Sequence, residues 1–142
     1  MKVSGDMFKN IRVAIVDDNK VNLRVAVTQL RQLGVMAEVF SSGGAIIKAL
    51  ERERKYDMIF MDHMMPDMDG IETFQKIQES RPKGGWHTPV IALTANAVSG
   101  AREEYLRYGF ADYIAKPVEY KKLIETMKKF LPDKIKLRTE VA

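Results

Sequence analysis

Residues 58–70 read Met-Ile-Phe-Met-Asp-His-Met-Met-Pro-Asp-Met-Asp-Gly, from Met58 to Gly70. Four apolar residues run without a break into Asp62. The run is too short for a buried helix and lacks the polar alternation of a half-exposed strand. It reads as a strand covered on both faces, the situation of a parallel sheet with helices packed above and below. Asp62 therefore stands at the carboxyl end of a buried strand. Pro66 and Asp69-Gly70 are turn residues, and a helix follows over about Gly70 to Ser80 with Ile71, Phe74 and Ile77 inward.

The same alternation extends in both directions. Ile11 to Val16 is an apolar strand, followed by a helix near Lys20 to Leu33 that Asn19 can cap and Gly34 stops. Met36 to Phe40 is a short strand interrupted by Glu38, which places it near an edge. Ser42 can cap a second helix carrying Ile46, Ala49 and Leu50. Downstream lie a strand at Val90 to Leu93, a weaker helix at about Ser99 to Tyr108, a strand at Ala111 to Ala115, and a last helix at about Glu119 to Leu131. Pro132 ends that helix. Five strand–helix repeats in 142 residues imply one α/β domain with a doubly wound parallel sheet. The flavodoxin-like (βα)5 order 2-1-3-4-5 is the common small solution, and its ligands sit beyond the carboxyl ends of the strands.

Composition excludes several classes. The chain has no cysteine, which removes disulfides, thiolate metal sites and thiol catalysis. No apolar run approaches the roughly 20 residues that cross a bilayer, so no membrane insertion is expected. The first eight residues lack a signal-like apolar core. The net charge is +4, with lysines concentrated late: Lys121, Lys122, Lys128, Lys129, Lys134 and Lys136. Without a helix-turn-helix, zinc or RNA-recognition pattern, this excess reads as a solvated helix face and tail, not direct nucleic-acid binding. The expected organisation is an N-terminal extension over 1–9, a domain over 10–132 and a tail over 133–142, in the cytoplasm.

Just past the strands stand Asp17 and Asp18, then Asp62, Thr94, and finally Lys116 with Pro117. The strand order 2-1-3-4-5 would bring all of them to one edge. Adjacent carboxylates repel by roughly 4 kcal/mol at about 4 Å in an effective dielectric near 20, so such a cluster calls for a hard cation. Oxygen ligands without histidine or cysteine favour Mg²⁺ over zinc or copper, and Mn²⁺ is a possible substitute. A carboxylate can also attack phosphorus to give an aspartyl phosphate. The transferred group then needs charge neutralisation, which Lys116 and the Thr94 hydroxyl can supply beside the metal. Each residue alone has an ordinary explanation: a helix cap, a turn, a solvated lysine. Five at the ends of four strands are hard to explain that way.

The segments VAIVDDNKVN, MIFMDHMMPDMDGIE, VIALTANA and ADYIAKPV resemble the response-regulator receiver family over about Ile11 to Leu131. The resemblance implies that Asp62 is the phosphoacceptor of a two-component phosphorelay. It makes Asp18 the direct Mg²⁺ ligand, Asp17 a ligand through water, and the Met64 backbone carbonyl the third protein ligand. Thr94 resembles the switch hydroxyl and Lys116 the lysine that pairs with the phosphoryl group. The Lys116–Pro117 bond is expected to be cis. Tyr113 matches the aromatic switch position, although a half-buried core tyrosine fits it equally. Met64 and Asn96 match positions that tune loss of the phosphoryl group, and a bulky apolar Met64 implies a moderately to long-lived one. His63 reads as a rim residue. The phosphodonor would be a histidine kinase or a histidine phosphotransfer protein, and a homodimer through helix 4, strand 5 and helix 5 is possible.

The wording LTANAVSGAREEYLRYGFADYIAKPV is most similar to receivers of hybrid sensor histidine kinases. A stand-alone response regulator or a receiver fragment of a DNA-binding regulator is the alternative. A turnover phosphohydrolase of the haloacid-dehalogenase type would need Asp-x-Asp after the first strand, and Asp17-Asp18-Asn19 lacks that spacing. The loop from Ser80 to Pro89 carries the only tryptophan, Trp86, and with His87 reads as a surface flap.

Overall fold

The computed structural model describes Phe8, residues 10–80 and residues 88–132. Most of the 80–89 loop, including Trp86 and His87, and the tail from 133 onward lie outside the described residues. Strands and helices alternate as β1 (Arg12–Val16), α1 (Lys20–Gln32), β2 (Met36–Phe40), α2 (Gly43–Glu51), β3 (Met58–Asp62), α3 (Gly70–Glu79), β4 (Val90–Thr94), α4 (Ala101–Tyr108), β5 (Asp112–Ala115) and α5 (Tyr120–Phe130). All four strand pairings are parallel. The sheet order is β2-β1-β3-β4-β5, the flavodoxin-like arrangement expected from the repeats.

Side chains along a strand point alternately to opposite faces, and here both sets are apolar. Val13, Ile15, Met58, Phe60, Ile91 and Leu93 pack with Leu23 and Leu30 of α1 and Leu123 and Met127 of α5. Ala14, Val16, Ile59, Met61, Val90 and Ala92 pack with Ile46 of α2, Phe74 and Ile77 of α3, and Tyr105 of α4. This two-sided burial explains the unbroken apolar run of β3. Phe8, which falls in the expected extension, is fully buried in the first of these cores.

Side-chain caps fix where the helices begin. The Asn19 side chain accepts from the backbone N–H of Val21 and Asn22, Ser42 from Ala45, and Asp69 from Glu72, satisfying donors that have no intrahelical partner. Helix α4 starts two residues later than its pattern implies. Gly100 sits in the left-handed region with φ 88° and offers no side-chain cap. Helix α5 begins at Tyr120 because Glu119 is extended, with ψ 143°. It ends at Phe130, with Leu131 out of helical geometry just before Pro132, as a residue preceding proline tends to be. Strand β2 is one of the two edge strands, and Glu38 there pairs with Arg54 and accepts from the Tyr56 hydroxyl at 2.8 Å. A charged pair of this kind guards an exposed edge.

Candidate functional site

Register brings the strand ends together. Val16 is level with Met61, Asp62 with Leu93, and Thr94 with Ala115. Asp17, Asp62, Thr94 and Lys116 therefore occupy the last rung of β1, β3, β4 and β5 or the position just past it. Asp17 and Asp62 are 2% and 3% exposed, respectively, and Thr94 is 2% exposed, whereas Asp18 faces solvent. Asp17, Asp18 and Asp62 each present a carboxylate oxygen within 4.8 Å of the other two.

Loop hydrogen bonds hold this geometry. The Asp17 backbone N–H donates to the Phe40 carbonyl at 3.0 Å. Its carboxylate accepts from the Asn19 N–H at 2.9 Å and from the Asn22 amide at 3.4 Å. Asn19 is thus both a helix cap and a fixture of the acidic cluster, and Asn22 is a site residue that sequence reading passed over. Its signal was positional, one helical turn past the aspartates. On the other side, the Lys116 ammonium donates to Asp62 at 2.7 Å and to Asp17 at 3.4 Å. The Lys116–Pro117 bond is cis, as expected. Lys116 N–H donates to the Thr94 carbonyl at 2.7 Å.

Burial pushes the Asp62 carboxyl up to about 6, and the Asp17 charge adds to this, while the Lys116 bond pulls the other way. The same bond raises Lys116 against its own burial. The ion pair is lopsided. One ammonium does not compensate two buried carboxylates, so the site is short of positive charge. That deficit, with oxygen donors alone in the cluster, fits a hard divalent cation.

Thr94 Oγ1 accepts from the Asn96 N–H at 3.0 Å, leaving its own proton to donate. Asn96 itself is exposed, and Met64 is 73% exposed in the β3–α3 loop. Tyr113 is half-buried and stacks on Tyr105, with centroids 5.8 Å apart. His63 is no simple rim residue. Its Nδ1 lies 2.7 Å from the Tyr105 hydroxyl, and the two rings meet edge to face. Tyr105 escaped sequence reading. Its signal was the Ala101–Tyr105 spacing of four, which marks the inward face of α4.

The model of the response regulator receiver domain matches residues 13–128. "Probable histidine kinase 4" of Oryza sativa subsp. japonica is 34% identical over 137 residues, covering 84% of this chain but 14% of the relative. The chain thus spans about a seventh of that protein's length. Among solved structures, the receiver domain of a sensor histidine kinase from Pseudomonas aeruginosa PAO1, with a magnesium ion coordinated in its active site cleft, is 34% identical. It superposes with a TM-score of 0.75 over 86% of this chain and 98% of that one. A Saccharomyces cerevisiae response regulator receiver domain, solved with a histidine phosphotransfer signaling protein, is 26% identical at a TM-score of 0.76, covering 87% of this chain and 90% of that one. With the match running from the first strand into the last helix, the chain belongs to the response regulator receiver domain family.

Proposed function

We propose that this receiver takes a phosphoryl group onto Asp62 from the phosphohistidine of a histidine kinase or histidine phosphotransfer protein. The observation that carries the proposal is the acidic cluster of Asp17, Asp18 and Asp62 with Lys116 bonded to it, at the carboxyl edge of the sheet. A carboxylate oxygen of Asp62 attacks phosphorus, the P–N bond breaks, and the donor's imidazole leaves with the electron pair. Asp17, Asp18, Asp62 and the Met64 carbonyl would hold Mg²⁺, with Mn²⁺ as a substitute. When bound, the cation supplies charge neutralisation for the phosphoryl oxygens. Lys116 leaves its bond to Asp62 for a phosphoryl oxygen, and Thr94 turns its hydroxyl proton to another.

In this reading Thr94 and Tyr113 form the switch, and Met64 and Asn96 tune the lifetime of the phosphoryl group. The domain takes in Phe8, buried in its core, as well as 10–132, so the expected extension over 1–9 is shortened, and a tail follows over 133–142. It acts in the cytoplasm, where phosphohistidine donors are made, and is not a turnover enzyme. It assists only its own phosphorylation and dephosphorylation. A groove of about 490 Å³ beside Lys116, lined by Val25, Ala26, Pro117 and Val118, offers a donor helix an apolar seat. The similarity to plant histidine kinases supports a receiver carried in a hybrid kinase. Pairing through α4, β5 and α5 is its route to a homodimer.

The test is incubation with acetyl phosphate and Mg²⁺, read by intact mass. The expected result is gain of one phosphoryl group, lost without Mg²⁺ and in Asp62→Asn. A protein that binds the metal yet stays unmodified by both acetyl phosphate and a phosphohistidine donor is a binding scaffold instead.

A further inference from the structure

Helix α4 is the shortest helix of the described fold. It spans eight residues, lacks a side-chain cap and buries only Ala101 and Tyr105. Its grip on the sheet is therefore largely one tyrosine. The Tyr105 ring is 5% exposed, packed edge-on to Phe110 and stacked on Tyr113. Its hydroxyl end reaches the phosphorylation site, 2.7 Å from His63 Nδ1 and beside the Thr94 hydroxyl. His63 follows Asp62 directly. It is clamped by its own backbone, with its N–H on the Leu93 carbonyl and its carbonyl accepting from Gly70.

We infer that Tyr105 is the positioning residue through which Asp62 controls helix α4, its hydroxyl latched by His63 and Thr94. The inference rests on the phosphoacceptor reading above. When Thr94 turns its hydroxyl toward a phosphoryl group, the polar surroundings of the buried Tyr105 hydroxyl change. A buried hydroxyl is costly to leave half-satisfied, so the ring shifts and α4 shifts with it. Tyr113 stacks on the Tyr105 ring with centroids 5.8 Å apart, so an inward swing of Tyr113 changes the packing of Tyr105. In this inference the two tyrosines move together. The charge of the phosphoryl group is thereby converted into a displacement of α4 without any contact between them.

The test is amide hydrogen exchange across residues 101–108, with and without acetyl phosphate and Mg²⁺, alongside intact mass on the same samples. In the parent protein, phosphorylation is expected to change α4 exchange. In Tyr105→Phe, α4 should exchange roughly three- to tenfold faster before phosphorylation, and phosphorylation should change it little further. His63→Leu should behave like Tyr105→Phe. His63→Asn, which keeps a hydrogen-bonding group near the Nδ1 position, should restore the response. Phosphoryl uptake should persist in all three variants, so coupling and chemistry are read separately. Full phosphorylation with an unaltered α4 response in both Tyr105→Phe and His63→Leu overturns the inference. Absence of uptake in the parent protein with any phosphodonor overturns the phosphoacceptor reading beneath it.

Discussion

The Lys116 ammonium donates to Asp62 at 2.7 Å, joining residues 54 apart in sequence at one edge of the sheet. The bond holds the nucleophile in place but also occupies it. Phosphoryl transfer requires Lys116 to let go of Asp62 and take a phosphoryl oxygen. Replacing it with methionine keeps most of the stem and removes the charge. We expect Lys116→Met to slow phosphorylation by acetyl phosphate by roughly 10²-fold, the scale of one lost electrostatic contact in a transition state. Without Mg²⁺, it should also lower stability by about 1–3 kcal/mol, because two buried carboxylates lose their cation. Denaturant unfolding and a phosphorylation time course check both. A variant that matches the parent rate would remove Lys116 from the chemistry.

Asp62 gives a pH signature. Its folded pKa, about 6, lies above its ordinary 3.8, chiefly because of burial. An acid shifted upward by folding costs nothing below about pH 4, where it is protonated in both states. The cost grows between pH 4 and 6 and is fully present above 6. Asp62→Asn should therefore stabilise the metal-free protein at pH 7 by about 1–2 kcal/mol, with the gain vanishing near pH 4. A Tm series from pH 4 to 7.5 decides it. A loss of stability at pH 7 would mean that the Lys116 bond outweighs burial.

The same shift affects the nucleophile when Mg²⁺ is limiting. Asp62 attacks as a carboxylate, so its reactive fraction falls as pH drops through about 6. Mg²⁺ competes with the proton for the same oxygens and should move that midpoint downward. Phosphorylation rates at limiting and saturating Mg²⁺ across pH 5–8 would show two displaced profiles. Coincident profiles would mean that metal and proton do not share the site.

Met64 is 73% exposed and has no polar atom able to orient water strongly. The phosphoryl group on Asp62 should therefore persist, and Met64→Asn should shorten its lifetime by roughly three- to tenfold, equivalent to about 1 kcal/mol of barrier. Following decay by intact mass after removing the phosphodonor tests this. Rapid hydrolysis in the parent protein would contradict the argument.

Gly70 tests the backbone around the nucleophile. A β-carbon at this position would collide with the Asp62 carbonyl oxygen and touch the Met61 side chain at 3.0 Å. The obstacle is strand backbone, which cannot step aside as a flexible side chain would. Gly70→Ala should destabilise the fold by about 2–3 kcal/mol and disturb Asp62. A melting curve and phosphorylation assay measure the two effects. Gly44→Ala, where nothing lies within 4 Å, is the control.

Much of this was legible in the sequence because strand ends announce themselves. Unbroken apolar runs located β3 and β4, and the parallel order then placed Asp17, Asp62, Thr94 and Lys116 together. Residues that act across the fold were harder to see. Tyr105 belongs to the site only because α4 packs over β4 and β5, and His63 because its ring turns toward α4 rather than solvent. Periodicity shows that Tyr105 faces inward but not that its hydroxyl meets His63. Helix starts slipped at Gly100 and Glu119, where a single backbone angle, and not a pattern, decides. Phe8 was missed because one aromatic in a polar stretch has no periodicity to read.

Phe8 also bears on where such a domain can be cut. The family match begins at residue 13, yet Phe8 is fully buried among Leu30, Leu33 and the strands five residues upstream of that point. A chimera spliced at the boundary of similarity would carry every residue of the chemistry but leave a phenylalanine-sized hole under the sheet. Comparable core truncations cost about 3–5 kcal/mol, a large part of a small domain's stability. The transplantable unit is therefore longer than the recognisable one.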